Sequence, residues 1–118
     1  MAARLDLTIE KGSTFERVFT WKTKNPDTGV LEPVNLSGYS ARAMMREEYD
    51  SAEPFISLTT GNGIVLTPLT GEIKITVTAE QSAALLAERG VWDIEVYTGT
   101  IVYRLLEGKV KIKPEVTR

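Results

Sequence analysis

The feature that most constrains this chain is a two-residue alternation of apolar and polar side chains that recurs along most of its 118 residues. Ile73, Ile75 and Val77 alternate with Lys74 and Thr76, and Trp92, Ile94 and Val96 alternate with Asp93, Glu95 and Tyr97. A period of two puts alternate side chains on opposite faces of a pleated backbone, so each run predicts a strand buried on one face. Leu5, Leu7 and Ile9 set against Asp6, Thr8 and Glu10 repeat the pattern near the start. Phe15, Phe19 and Trp21 set against Glu16, Thr20 and Lys22 follow, with Arg17 interrupting the apolar face and Val18 the polar one, which places those strand ends near a rim. Lys11-Gly12-Ser13 lies between these two runs and predicts that they form a hairpin.

Turn chemistry divides the rest. Asn25-Pro26-Asp27-Thr28-Gly29, within a polar stretch from Lys24 to Glu32, predicts an exposed tip, because Pro presets φ and Gly accepts positive φ. Leu36 and Tyr39 then read as anchors. Residues 40–49 are rich in helix formers, yet Ala41, Ala43 and Met45 alternate with Arg42, Met44 and Arg46, and a strand is the favoured expectation. Tyr49–Glu53 reads as a loop and Phe55–Thr59 as a strand. Gly61-Asn62-Gly63 predicts a tight reversal, Ile64 and Leu66 a further strand, and Gly71 the next turn. Thr78-Ala79-Glu80-Gln81 matches a capping box and predicts a helix of about three turns ending at Gly90. Thr98-Gly99-Thr100 predicts a hairpin turn, Val102–Leu106 its return strand, and Gly108 a bulge. Lys109, Lys111 and Lys113 fall on one side, as in an edge strand protected against aggregation. About eight short strands with one connecting helix, in a chain long enough for one domain over residues 1–118, predict an all-β sandwich or small barrel.

Composition removes whole classes of chemistry. The chain has no histidine and no cysteine, which excludes Cys/His zinc sites, thiol nucleophiles, disulfides and Ser-His-Asp triads built from its own residues. Fourteen Lys+Arg against 16 Asp+Glu give a net charge of −2, a poor footprint for a nucleic-acid binder. The opening Met1-Ala2-Ala3-Arg4 has no apolar leader and no apolar stretch reaches the ~20 residues of a membrane span. The expectation is a chain made in a cytosol and used there or released by lysis, with no membrane or nucleic-acid partner.

Few residues are candidates for chemistry. Glu47, Glu48, Asp50 and Glu53 form an acidic stretch without the spacing of a calcium loop, and read as a solvated strand end and loop. Asp93 reads as a cross-strand partner of Arg104 or Arg42, so that Asp93→Asn is expected to lower stability without removing an activity. No glycine-rich phosphate loop is present and no cofactor is expected. Of the aromatic residues, Tyr97 and Tyr103 flank a turn and are the exposed candidates for stacking on a sugar or base. The residues expected to contact partners are Asn25, Asp27, Thr28, Tyr49, Asp50, Tyr97, Tyr103, Lys109 and Lys111.

The order of motifs carries a resemblance. Leu5-Asp6-Leu7-Thr8-Ile9 precedes Lys11-Gly12-Ser13-Thr14-Phe15, and Val34-Asn35-Leu36-Ser37-Gly38-Tyr39 leads into Ala41-Arg42. Gly71-Glu72-Ile73, the Thr78–Leu86 segment and Gly90-Val91-Trp92-Asp93-Ile94 follow, then Tyr103-Arg104-Leu105-Leu106-Glu107-Gly108-Lys109-Val110 and a final Val116-Thr117-Arg118. Over nearly its whole length the chain resembles small virion proteins of tailed bacteriophages and the BppU-like N-terminal domains of tail fibres and baseplates. The resemblance implies an immunoglobulin-like β-sandwich, with Gly38-Tyr39 and Asp93 structural and no catalytic residues. It also implies a non-enzymatic adaptor or attachment subunit of the tail, baseplate or neck, present in several copies and docking fibres or neighbouring virion proteins. No repetitive shaft follows before Arg118, so a stand-alone subunit is expected rather than a fibre. The alternatives are a capsid decoration protein and a carbohydrate-binding module using Tyr97, Tyr103 or Trp21 on host glycans.

Overall fold

The computed structural model describes residues 3–114; Met1-Ala2 and the Val116-Thr117-Arg118 motif lie outside them. The fold is all-β. Its strands are β1 (Ala3–Arg4), β2 (Leu7–Glu10), β3 (Phe15–Thr20), β4 (Lys22–Lys24), β5 (Leu31–Pro33), β6 (Ser40–Arg46), β7 (Ile56–Thr60), β8 (Gly63–Thr67), β9 (Glu72–Val77), β10 (Arg89–Thr98) and β11 (Ile101–Lys113). One short helix, α1 (Ala79–Ala83), interrupts them. Neighbouring strands bond in the order β1-β11-β10-β6-β7-β8-β9-β3, with β2 also on β11, and β4-β5 form a separate pair. The long sheet curls into an open half-barrel, so that β3, at one end of the path, faces β10 in its middle: the Phe19 and Trp92 rings stack with centroids 5.9 Å apart.

The alternating residues line the concave side. Ile73, Ile75 and Val77, Trp92, Ile94 and Val96, Leu7 and Ile9, and Val110 and Ile112 are all buried. Residues 40–46 form a strand as expected, with Ala41, Ala43 and Met45 buried, so burial of one face outweighs the helix propensity of Ala, Met and Arg. Each large core side chain contributes roughly 1.5–3 kcal/mol by leaving water. Leu36 is buried and Tyr39 half-buried, as their role as anchors requires.

Several pairings differ from expectation. β2 and β3 are not a hairpin: β2 lies parallel to β11, Leu7 opposite Val110 and Ile9 opposite Ile112, whereas β3 pairs only with β9. The Lys11-Gly12-Ser13 turn is held by other elements. The Lys11 N–H donates to the Lys113 carbonyl at 2.9 Å and the Gly12 N–H to Ser82 Oγ at 3.0 Å, while Ser82 Oγ donates to the Ser13 carbonyl at 2.8 Å. Fully buried Ser82 thus clamps the turn to α1 and sends the chain across the open side of the sheet. β3 is an edge strand along its length, which is why both Arg17 and Val18 are exposed. Gly61-Asn62-Gly63 is not a fold-back either. Both glycines take positive φ, and the chain makes a tight loop that leaves β7 and β8 parallel, with Thr59 opposite Gly63.

The helix begins as expected and ends early. Thr78 Oγ1 accepts from the Gln81 N–H at 3.1 Å and Gln81 Oε1 from the Thr78 N–H at 2.9 Å, completing the capping box. The helix ends at Ala83 because Leu85 turns into the core and the Ile112 N–H already binds the Glu88 carbonyl at 2.9 Å; further helical turns would pull Glu88 off the sheet. Gly90 is therefore inside β10 rather than a helix cap. A Cβ there would lie 2.3 Å from the Arg46 carbonyl oxygen. Gly108 is likewise not the bulge: the register slips between Ile94 and Glu95, leaving Leu105 as the unpaired residue of β11. A Cβ on Gly108 would lie 2.1 Å from the Leu5 carbonyl oxygen, so this glycine lets the N-terminal segment cross β11. Lys109, Lys111 and Lys113 do not lie on an edge, because β10 flanks β11 on one side and β2 on the other; they project from the solvated face.

Two substitutions test these contacts by urea denaturation. Gly108→Ala is expected to lose about 1–3 kcal/mol through overpacking. Ser82→Ala is expected to lose about 1–3 kcal/mol by leaving buried turn groups unpaired. Unchanged midpoints would contradict the crossing and the clamp respectively.

Candidate functional site

The convex face of β6, β10 and β11 carries a charge network dictated by register. Arg42, Glu95 and Arg104 lie opposite one another on adjacent strands. Arg42 Nε donates to Glu95 Oε1 at 2.9 Å, and Arg104 reaches Glu95 Oε2 at 3.5 Å and Asp93 Oδ2 at 3.4 Å. The Arg42 guanidinium also lies over the Tyr97 ring, 4.7 Å from its centroid. Asp93 is thus a cross-strand partner of Arg104, one of the two arginines expected, and Arg42 serves Glu95 instead. Burial pushes the Asp93 carboxyl above the ordinary carboxylate range; Arg104 opposes this, and Glu95 and Glu107, the latter directly across the ladder, add repulsion.

Register also sorts the residues expected to contact partners into two groups. β6 begins with Ser40 opposite Tyr97 and ends with Arg46 opposite Val91. Tyr97 and Tyr103 therefore lie toward one end, together with the Asn25–Gly29 turn, since Trp21, next to β4, contacts both Tyr39 (6.2 Å between ring centroids) and Tyr103 (5.4 Å). That turn closes on itself: Asn25 Oδ1 accepts from the Asp27 N–H at 2.8 Å and Asn25 Nδ2 donates to Glu32 at 2.9 Å, leaving Asp27 and Thr28 exposed. Tyr49, Asp50, Lys109 and Lys111 lie toward the other end. Tyr49 and the acidic residues Glu47, Glu48, Asp50 and Glu53 are exposed, and the loop is fixed by Arg46 Nη1 donating to the Ser51 carbonyl at 2.7 Å. Among the described residues no group of three or more acidic side chains is placed to hold a metal.

Tyr97 and Tyr103 do not form one stacking platform. Tyr103 is opposite buried Val96 and shares its concave side, whereas Tyr97 is on the convex face beneath Arg42. Near Lys109 and Lys111 an open groove of about 1060 Å³ runs beside the Leu86–Val91 segment. Lys109 and Lys111 line it together with Lys11 and Arg89, and these cations are interspersed with Asp6, Glu47 and Glu88, so it presents mixed charge rather than an anion site. A second hollow, about 270 Å³, lies between β3 and β11 over Phe19, Trp21, Leu105 and Leu106.

Sequence reasoning missed that hollow and the exposed Ile101 (52%), Val102 (46%) and Leu86 (94%). The signal for the first two was present: Ile101-Val102-Tyr103 is an unbroken apolar run directly after a turn, and a strand buried on one face does not need it. Comparison with protein-family models and with curated proteins finds no match to this chain.

The raised Asp93 value reverses the expectation for its replacement. A carboxyl whose folded-state value exceeds its unfolded one favours folding when protonated, and loses that contribution as pH rises through the raised value. Asp93→Asn, which mimics the protonated group, should melt above the wild type at pH 7, with a difference that shrinks on acidification through the carboxylate range. A mutant melting well below wild type at pH 7 would show that the Arg104 pair dominates.

Proposed function

We propose that this chain is a non-enzymatic structural protein of a tailed-bacteriophage virion, an immunoglobulin-like β-sandwich acting as an adaptor or attachment subunit of the tail, baseplate or neck. It is assembled in the host cytoplasm, works in the virion in several copies, and docks fibres or neighbouring virion proteins without nucleic acid or membrane.

The observation that carries this reading is the division of exposed, non-convergent surface between two ends of an elongated molecule, 53 × 29 × 24 Å. The Asn25–Gly29 turn and the Ile101–Tyr103 run lie toward one end, and Tyr49, Leu86 and the lysine row toward the other. Such an arrangement suits joining two neighbours better than enclosing a substrate. Exposed apolar side chains grouped on a small domain mark contact surfaces, and repetition around a particle turns individually weak contacts into durable attachment. The resemblance carried by the motif order supports the virion context. The charge network gives Asp93 a structural partner, and the chain lacks the histidine and cysteine on which most acid–base and nucleophilic sites depend.

Immunogold electron microscopy of purified virions tests the placement. Label at the tail end or neck is expected; label over the head would favour decoration, and none would contradict a virion role. Replacing Asn25–Gly29 by a short Asn-Gly turn should leave the melting temperature nearly unchanged, because the turn bonds only within β4–β5. The same change should lower incorporation into particles, and an unfolded product would contradict the assignment of this segment as an independent tip.

A further inference from the structure

The half-barrel is unclosed at one seam, and the groups left along it belong to strands. β11 bonds β10 over its length, but β1 and β2 cover its other side only from Leu106 onward. Ile101–Leu105 therefore has a bare edge. Counting from the turn-closing pair Thr98–Ile101, alternate residues of an antiparallel ladder direct their N–H and C=O away from the partner strand; here these are Val102 and Arg104. On the other side of the seam β3 bonds β9 alone. Between the two edges lies the hollow over Phe19, Trp21, Leu105 and Leu106. Unpaired strand edges flanking an apolar floor form a template for one more strand.

We infer that this seam receives an extended segment of a partner protein in which apolar and acidic residues alternate. The segment's backbone bonds Val102 and Arg104 on β11. Its apolar side chains enter the hollow, and its carboxylates face outward. Charge selects the sign: Lys22 and Arg104 are the charged residues at the hollow and no acidic residue lines it, Arg104 directing its side chain to the convex face, on which the segment's outward carboxylates would lie. Lys22 has no ion-pair partner among the described residues, and the Arg104 contacts are long, at 3.4 and 3.5 Å. A second copy fits less well. Two such edges paired antiparallel about Tyr103 would set each Arg104 opposite Val102 of the other copy, offering it no carboxylate, and would leave both hollows empty. That the partner is another virion protein rests on the adaptor reading; the chemistry of the seam does not.

The test is a nuclear magnetic resonance titration of the ¹⁵N-labelled full chain with a short, end-blocked synthetic peptide alternating valine and glutamate. Shifts are expected within 18–22 and 101–106. A valine–lysine peptide should bind at least about tenfold more weakly. Val102→Pro should weaken binding similarly, since it removes an outward N–H without touching the β10 ladder. Lys22→Glu, a change of an exposed side chain, gives a second variant with the same expected loss should the proline unfold the domain. The inference is overturned by no shifts at millimolar peptide, by shifts centred elsewhere, by equal binding of the lysine peptide, or by folded variants that bind unchanged. Concentration-dependent broadening along 101–105 without peptide would also overturn it, in favour of a second copy. None of these outcomes depends on where antibody labels a virion, so a failed seam and a failed virion assignment are distinguishable.

Discussion

The crossing of Leu5 over Gly108 organises the molecule. At this point the Leu5 carbonyl accepts from Trp92 Nε1–H at 2.8 Å, the Leu5 N–H donates to the Glu107 carbonyl at 2.9 Å, and Asp6 Oδ1 accepts from the Lys109 N–H at 2.9 Å. The contact is close because residue 108 has no Cβ. It fixes β1 and β2 against the C-terminal half of β11 and orients the Trp92 ring on which Phe19 stacks. The two ends of the sheet are thereby brought face to face, with the alternating apolar residues between them.

The same crossing determines what stays open. With the N-terminal segment committed beyond Leu106, nothing in the described chain pairs the outer edge of the first half of β11 or the outer edge of β3. The Leu105 bulge contributes too. It inverts the alternation, so that Tyr103 as well as Leu106 lies on the concave side and the seam has an apolar floor. At the opposite end, the early stop of α1 leaves Leu86 in solvent beside the mixed-charge groove. Exposed contact surface thus arises where the sheet runs out of partners, consistent with the proposed role of a small subunit that joins others.

What each strand buries was legible in the sequence; what it pairs with was not. Ile73, Ile75 and Val77 or Trp92, Ile94 and Val96 record burial locally, because a one-sided environment imposes a period of two. The same logic resolved residues 40–46 as a strand. Pairing is a long-range property. The Lys11-Gly12-Ser13 turn has hairpin chemistry, and only Ser82, seventy residues away, shows why it does not act as one. Glycines were the least legible: Gly90 and Gly108 exist for a neighbour's carbonyl, which sequence cannot distinguish from a cap or a bulge. Among the candidate residues, exposure of Asp27, Thr28, Tyr49, Asp50, Lys109 and Lys111 followed from composition and turns. The separation of Tyr97 from Tyr103 did not, since it depends on where the bulge falls.

Amide hydrogen exchange of the free chain, resolved residue by residue along β10 and β11, tests the open seam most directly. The Val102 and Arg104 amides, directed away from β10, should exchange rapidly, while Tyr103 and Val110, directed toward β10, are protected. Protection of Val102 and Arg104 equal to that of Val110 would mean that the edge is already covered and the half-barrel closed.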